Sequence, residues 1–246
     1  MLKALVASLL LFVATSSAAM QSQNAMDEFD RVLREHVNNG FVDYPAIGRD
    51  LRFSRYIDYL AEADPEAFST EAEKLAFWIN AYNALAIQGI LDGLSPDGFF
   101  GRVAFFATTD FRLAGRDITL YDLEHDIIIP FAEPRIHFAI VCASASCPIL
   151  QSEAYRAETL DDQLDRAARQ FINDESKNRF NDELRIANLS KIFDWFDADF
   201  EQHAGTVANY LKPYVDQDSH RQTLASPDLY IRHLDYDWSL NGKALP

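Results

Sequence analysis

The pattern of apolar and polar positions is most informative over Glu71–Leu91, "EAEKLAFWINAYNALAIQGIL". Thr70 with Glu73 three residues on is a capping-box signature, and Gly93 stands just past the far end. The spacing predicts one helix across the stretch. From Leu75 onward apolar side chains cover nearly every face, which predicts a helix buried all round at the centre of the domain. Asn80 and Asn83 interrupt it, and residues three apart share a helix face.

Weaker patterns flank this helix. Asp27–Val37 predicts a short amphipathic helix ended by "NNG" at 38–40, and "FVDYPAI" at 41–47 is expected to be extended around Pro45. Leu51–Ala63 predicts a further helix. Phe111–Leu113 and Asp117–Leu120 predict a hairpin around "AGR". Thr119 is placed to cap a helix over Leu120–Ile129 that Pro130 stops, and Thr159 to cap one over Leu160–Ile172. Ile136–Val141 is apolar apart from His137, which predicts a central strand covered on both faces. Leu184–Leu189 and Leu229–Trp238 predict strands, Ser190–Trp195 a turn or helix, and Thr206–Leu211 a helix. Helices and strands mix without a βαβ rhythm. The expected class is therefore α+β: a single domain with a buried central helix packed on a small mixed or antiparallel sheet, with peripheral helices around it.

Composition changes this picture in two places. The first nineteen residues carry Lys3, an apolar run over 4–14 broken by Ser8, and small residues at 16–19. That is the pattern of a signal peptide cut after Ala19, too short to span a bilayer with ease. Residues 20–246 are then the globular domain, with a periplasmic or secreted location and no stable membrane insertion expected. The formal net charge of −16 repels nucleic acid and anionic lipid, so neither is an expected partner. A small molecule or a peptide is the expected substrate class.

Candidate chemistry gathers in "RIHFAIVCASASCP" at 135–148, which holds both cysteines. In a regular strand His137 and Cys142 point to opposite faces. Cys142 then reads as a buried small hydrophobe. Cys147 lies past the strand end on a loop of small residues. It is either a nucleophile activated by His137 or the disulfide partner of Cys142. His137 is either a base or a core imidazole with a nearby acceptor. Glu124 and His125 precede the strand; adjacent helical positions diverge by about 100°, so they cannot grip one ion together, and one of them is expected to face the core, meet His137 and orient it as a base while the other is exposed. Asn80 and Asn83 are either oxyanion donors or ties from the buried helix to loop backbone. The proposed catalytic set is Cys147, His137, Glu124, His125, Asn80 and Asn83. His233, Asp235 and Asp237 alternate on a predicted strand face that reads as solvated; no metal or cofactor is expected.

These blocks also carry a resemblance. "FVDYPAI", "FWINAYNAL" at 77–85, "EH" at 124–125, "RIHFAIVCASASCPIL" at 135–150, "SKIFDWF" at 190–196 and "YDWSLN" at 236–241 together resemble domain-of-unknown-function family 547, over about 41–241. That family implies no particular activity. A buried helix followed by a histidine-bearing strand is also similar to the core of papain-like and transglutaminase-like enzymes. There the helix start supplies a cysteine; here the corresponding helix has Asn80 and Asn83 and no cysteine, so the thiol would have to come from Cys147. The expected function is an exported thiol-dependent hydrolase or acyl-transferase, with a non-catalytic binding or interaction module as the alternative.

Overall fold

The computed structural model describes residues 22–245. The expected signal segment lies outside them. Helix α1 runs through 22–36 and turns by way of β1 (Val37–Asn38) into β2 (Phe41–Asp43), with Asn39 and Gly40 both at positive φ. Helix α2 (Tyr44–Ile47) follows at once. "FVDYPAI" is thus extended only to Asp43. Pro45 sits in the first helical turn, where a missing N–H costs nothing, and the Asp43 carboxylate accepts from the Ala46 N–H.

Helices α3 (Leu51–Glu62) and α4 (Glu71–Leu91) agree with the sequence reading. At the start of α4, Thr70 Oγ1 accepts from the Glu73 N–H at 3.1 Å, and the Glu73 carboxylate accepts from Thr70 N–H at 2.9 Å. Replacing Thr70 by alanine is expected to lower stability by about 1 kcal/mol, read as a lower urea midpoint at unchanged slope. Helix α5 (Gly98–Arg102) runs into a wide turn over Val103–Thr108. Strands β3 (Phe111–Leu113) and β4 (Arg116–Ile118) form the expected hairpin, with Ala114 and Gly115 both at positive φ in its turn.

Helix α6 (Leu120–Asp122), capped by Thr119, widens over Leu123–Ile128 and closes with a 3-10 turn at Ile129–Phe131. Helix α7 (Leu160–Ile172) follows, though the Thr159 hydroxyl bonds Gln163 rather than capping the backbone. Beyond lie β5 (Arg179–Asn181), β6 (Ile186–Leu189), α8 (Ile192–Trp195), α9 (Asp197–Ala204), α10 (Val207–Leu211), α11 (Asp218–Leu224), β7 (Tyr230–His233) and β8 (Gly242–Lys243).

The class is α+β in a single domain, with its strands in three small sheets: β1-β2-β8, β3-β4 and β5-β6-β7. The first and third mix parallel and antiparallel pairs. Helix α4 is the buried centre, with residues 75–87 all withdrawn from solvent.

Two expected strands are corrected. Pro134–Phe138 is a 3-10 turn opened by the Glu133 carboxylate, which accepts from the Arg135 N–H, and 139–142 continues outside any strand. Its apolar run is buried between helices, and burial on all sides does not by itself distinguish a strand from a turn. Ile136 packs in the core around α4, whereas Phe138 packs in a second core formed by α7, β6 and α8–α10. The segment therefore joins the two. Near the carboxyl end, β7 stops at His233, so His233, Asp235 and Asp237 do not share a strand face; His233 instead lies 3.6 Å from Asp194.

Candidate functional site

The site is built where the segment after His137 leaves the core. Asn83 holds it from α4. Its amide nitrogen donates to the Ala139 carbonyl at 2.9 Å and its amide oxygen accepts from the Val141 N–H at 2.8 Å. Cys142 comes next, and Ala143 then takes a left-handed conformation, φ 60°. A non-glycine residue held there is strained, and such strain collects at functional sites. The turn folds Ser144 back, so that its hydroxyl lies 3.1 Å from the Cys142 sulfur.

The loop is strapped to the carboxyl-terminal segment. Ala145 N–H donates to Ser239 O, Ser146 N–H to Asp237 O, and Asn241 N–H to Ala143 O. Lys177 Nζ donates to Ala145 O at 3.1 Å. The strap delivers Tyr236, whose hydroxyl lies 3.4 Å from Cys142 Sγ and 3.3 Å from Ser144 Oγ. The Tyr236 ring packs on Trp195 and Trp238, at centroid separations of 4.8 and 4.5 Å.

Cys147 turns to Cys142 and not to His137. The Cys142 N–H donates to Cys147 Sγ at 2.9 Å, and the two sulfurs of these free thiols lie 2.6 Å apart. The thiols are unequal. Cys147 is buried, and burial and the neighbouring Cys142 push its pKa well up. Cys142 is half-buried. Burial raises its pKa too, but hydrogen bonds from Cys147, Ser144 and Tyr236 outweigh that and bring it down to about 7. Cys142, expected in the core, is thus the half-buried thiol with the lowered pKa, and Cys147, expected on an open loop, is the buried one.

Glu124 and His125 point apart, but the core-facing Glu124 meets Tyr82 and not His137. Glu124 is buried and accepts a hydrogen bond from Tyr82 Oη at 3.1 Å. Burial pushes its pKa up to about 7 against the Tyr82 bond, with negative charge at Cys142 and Asp199 adding to the rise. His125 stacks on Tyr121 nearer the surface, at 3.9 Å, with Nδ1 3.0 Å from Tyr121 O.

His137 is buried, but its partner is Asp199 on α9. Nε2 lies 2.8 Å from the carboxylate, and the ring stacks on Phe196 at 4.0 Å. Burial lowers its pKa and Asp199 opposes that. Nδ1 has no hydrogen-bond partner among the described residues. His137 and Asp199 line a pocket of about 410 Å³ with Glu133, Gln202 and His203. Asn80 grips the Tyr155 backbone, donating to its carbonyl at 2.8 Å and accepting from its N–H at 2.9 Å. The two asparagines are therefore backbone ties, and neither amide is disposed as an oxyanion donor at either thiol.

Sequence reasoning passed over Ser144, Tyr236 and Asp199. Tyr236 lay inside the quoted "YDWSLN" block, whereas nothing local marks Asp199, which is 62 residues from His137. Among the described residues one group of metal-ligand types converges, Glu35, His36 and Asp50. Arg52 already pairs with both carboxylates, so the group is an ion-pair network.

No curated protein and no solved structure matches the chain significantly. A family model, described as "Protein of unknown function, DUF547", matches residues 65–172, the segment that holds α4, Glu124, His137, both cysteines and α7. Tyr236 and Asp199 lie beyond the match. Over residues 65–172 the chain is similar to the DUF547 family.

Proposed function

We propose that the protein is an exported thiol-dependent hydrolase or acyl-transferase in which Cys142 is the nucleophile. One observation carries this reading: a half-buried thiol on which a left-handed turn and a carboxyl-terminal strap converge the Ser144 and Tyr236 hydroxyls. A thiol is nucleophilic as the thiolate, and hydrogen bonds to the sulfur favour that form. The thiolate adds to the carbonyl of a small acyl or peptide substrate and forms a thioester. The leaving group departs with the proton the thiol released, and water or an acceptor then discharges the acyl group. His137 bonds Asp199 rather than either sulfur, so it holds that carboxylate in the pocket and takes no proton from Cys142. The apolar leader supports export, and among the described residues no helix is long and apolar enough to cross a membrane.

The test is alkylation of the reduced native chain by iodoacetamide at pH 7, followed by peptide mapping. Cys142 is expected to react roughly tenfold faster than an ordinary thiol, because about half of it is thiolate at that pH, and Cys147 is expected to be protected. A Cys142 that reacts no faster than Cys147 sinks the nucleophile. Hydrolysis of a panel of thioesters and esters, lost in Cys142→Ser, identifies the reaction.

The binding-module reading rests on a separate observation, that both asparagine amides are spent on backbone. It would be favoured by a Cys142→Ala chain that loses stability and no measurable turnover.

A further inference from the structure

We infer that Cys142 and Cys147 are a redox dithiol that undergoes thiol–disulfide exchange, Cys142 as the attacking sulfur and Cys147 as the resolving one. The inference rests on the reading of Cys142 as the accessible nucleophile and adds a second chemistry at the same atom.

Three geometric facts carry it. The sulfurs are in contact, and the Cys142 N–H donates to Cys147 Sγ, so the second thiol is already aimed at the first. Exposure is unequal: Cys142 is half-buried and Cys147 is 4% exposed. An incoming disulfide therefore meets Cys142, while Cys147 meets Cys142 rather than solvent. The loop is also held from outside itself, by Ser239, Asp237 and Asn241 on the carboxyl-terminal strap and by Lys177 from the turn before β5. Its fold does not depend on a covalent bond between the two sulfurs, so reduced and bridged forms can share it.

The chain contains no third cysteine to divert the exchange. The co-reactant is a low-molecular-weight disulfide, RSSR. Cys142 thiolate attacks one of its sulfurs, the S–S bond breaks, and one RS⁻ leaves and takes up the proton Cys142 had lost. Cys147 thiolate then attacks Cys142 Sγ in the mixed disulfide. The Cys142–Cys147 bond forms, and the second RS⁻ leaves and takes up the proton of Cys147. The two protein thiols have lost two electrons and two protons, and RSSR has become two RSH. In the bridged form Cys142 has no thiolate, so exchange also switches acyl chemistry off.

The experiment uses the full reduced chain with oxidised glutathione as probe, quenched in acid and read by intact mass and peptide mapping. Wild type is expected to lose two hydrogens and retain no glutathione. Cys147→Ser is expected to accumulate a stable glutathione adduct on Cys142, and Cys142→Ser to form no bridge. Wild type in glutathione buffers of graded ratio should titrate as a two-electron couple, which tests the inference even where a variant fails to fold. Retention of glutathione by wild type without bridging overturns it. So does a bridge that a mild dithiol cannot reduce in the native chain, which would make the pair a staple. The iodoacetamide rate of the reduced chain reads the nucleophile alone. Fast alkylation without bridging defeats the dithiol and leaves the acyl-transfer reading standing; slow alkylation with bridging does the reverse.

Discussion

Replacing Asn83 by leucine is expected to lower the unfolding free energy by about 2–6 kcal/mol. The substitution is close in volume and the site is buried, 3% exposed. What it removes is a pair of partners: the Ala139 carbonyl and the Val141 N–H, both buried, each lose a hydrogen bond. An orphaned buried backbone group costs about 1–3 kcal/mol, and here there are two, with no strand alongside to replace the amide. Urea unfolding read by far-ultraviolet circular dichroism gives the answer, as a drop in midpoint at unchanged slope. A loss below about 0.5 kcal/mol would mean the amide does no more than a surface substitution typically does. The effect should also reach the thiol. Cys142 directly follows the anchored residues, so loosening them should slow its alkylation by removing the fixed approach of Ser144 and Tyr236. Asn80→Leu makes the control: it orphans the Tyr155 N–H and carbonyl in the same way but lies away from the thiol loop, so it should destabilise without changing the alkylation rate.

These asparagines show where sequence was informative. Their positions on a buried helix were legible because capping, burial and face-sharing are all local: Thr70 reaches Glu73 within four residues, and the apolar run of α4 declares itself. The hairpin over Phe111–Ile118 was legible for the same reason. Ties to loop backbone were one of the two readings, but which backbone they reach was not legible, since the partners lie 56 to 75 residues away and leave no compositional trace. The thiols illustrate a different failure. Alternation over 136–142 holds only if the segment is a strand. The segment begins as a 3-10 turn, and a left-handed alanine follows it, so no period of two relates His137 to Cys142. The same burial that suggested a strand is satisfied by helices on either side. Once the chain is followed as it runs, the accessible thiol is the one assigned to the core, and the histidine belongs to a carboxylate from α9. Tyr236 is 94 residues from the sulfur it touches. The site is thus assembled from the segment that matches the DUF547 model and from a strap beyond it, which carries Tyr236 in the "YDWSLN" block.

Glu124→Gln is expected to abolish a steep loss of stability between pH 4.5 and about 7. Burial is the main cause of the raised pKa of Glu124: it takes the carboxyl from an ordinary 4.5 to about 7, against the hydrogen bond from Tyr82. Between those two values the unfolded chain releases the proton and the folded chain keeps it. The unfolded state then binds fewer protons, so stability falls as pH rises. The contribution is fully present below pH 4.5 and gone above about 7. At 1.36 kcal/mol for each tenfold change, the total is ~3 kcal/mol. Other carboxylates titrate in the same range, so the measured quantity is the difference between wild type and Glu124→Gln in urea unfolding from pH 4 to 8. The glutamine variant should gain on wild type by that amount across the window. A difference that stays constant with pH would assign the titration elsewhere. The same coupling links the carboxyl to the thiol. Negative charge at Cys142 raises Glu124, so by reciprocity an ionised Glu124 disfavours the Cys142 thiolate. Removing that charge should move the pH profile of Cys142 alkylation to lower pH. A profile that does not move would place Glu124 out of electrostatic reach of the sulfur and confine it to the core.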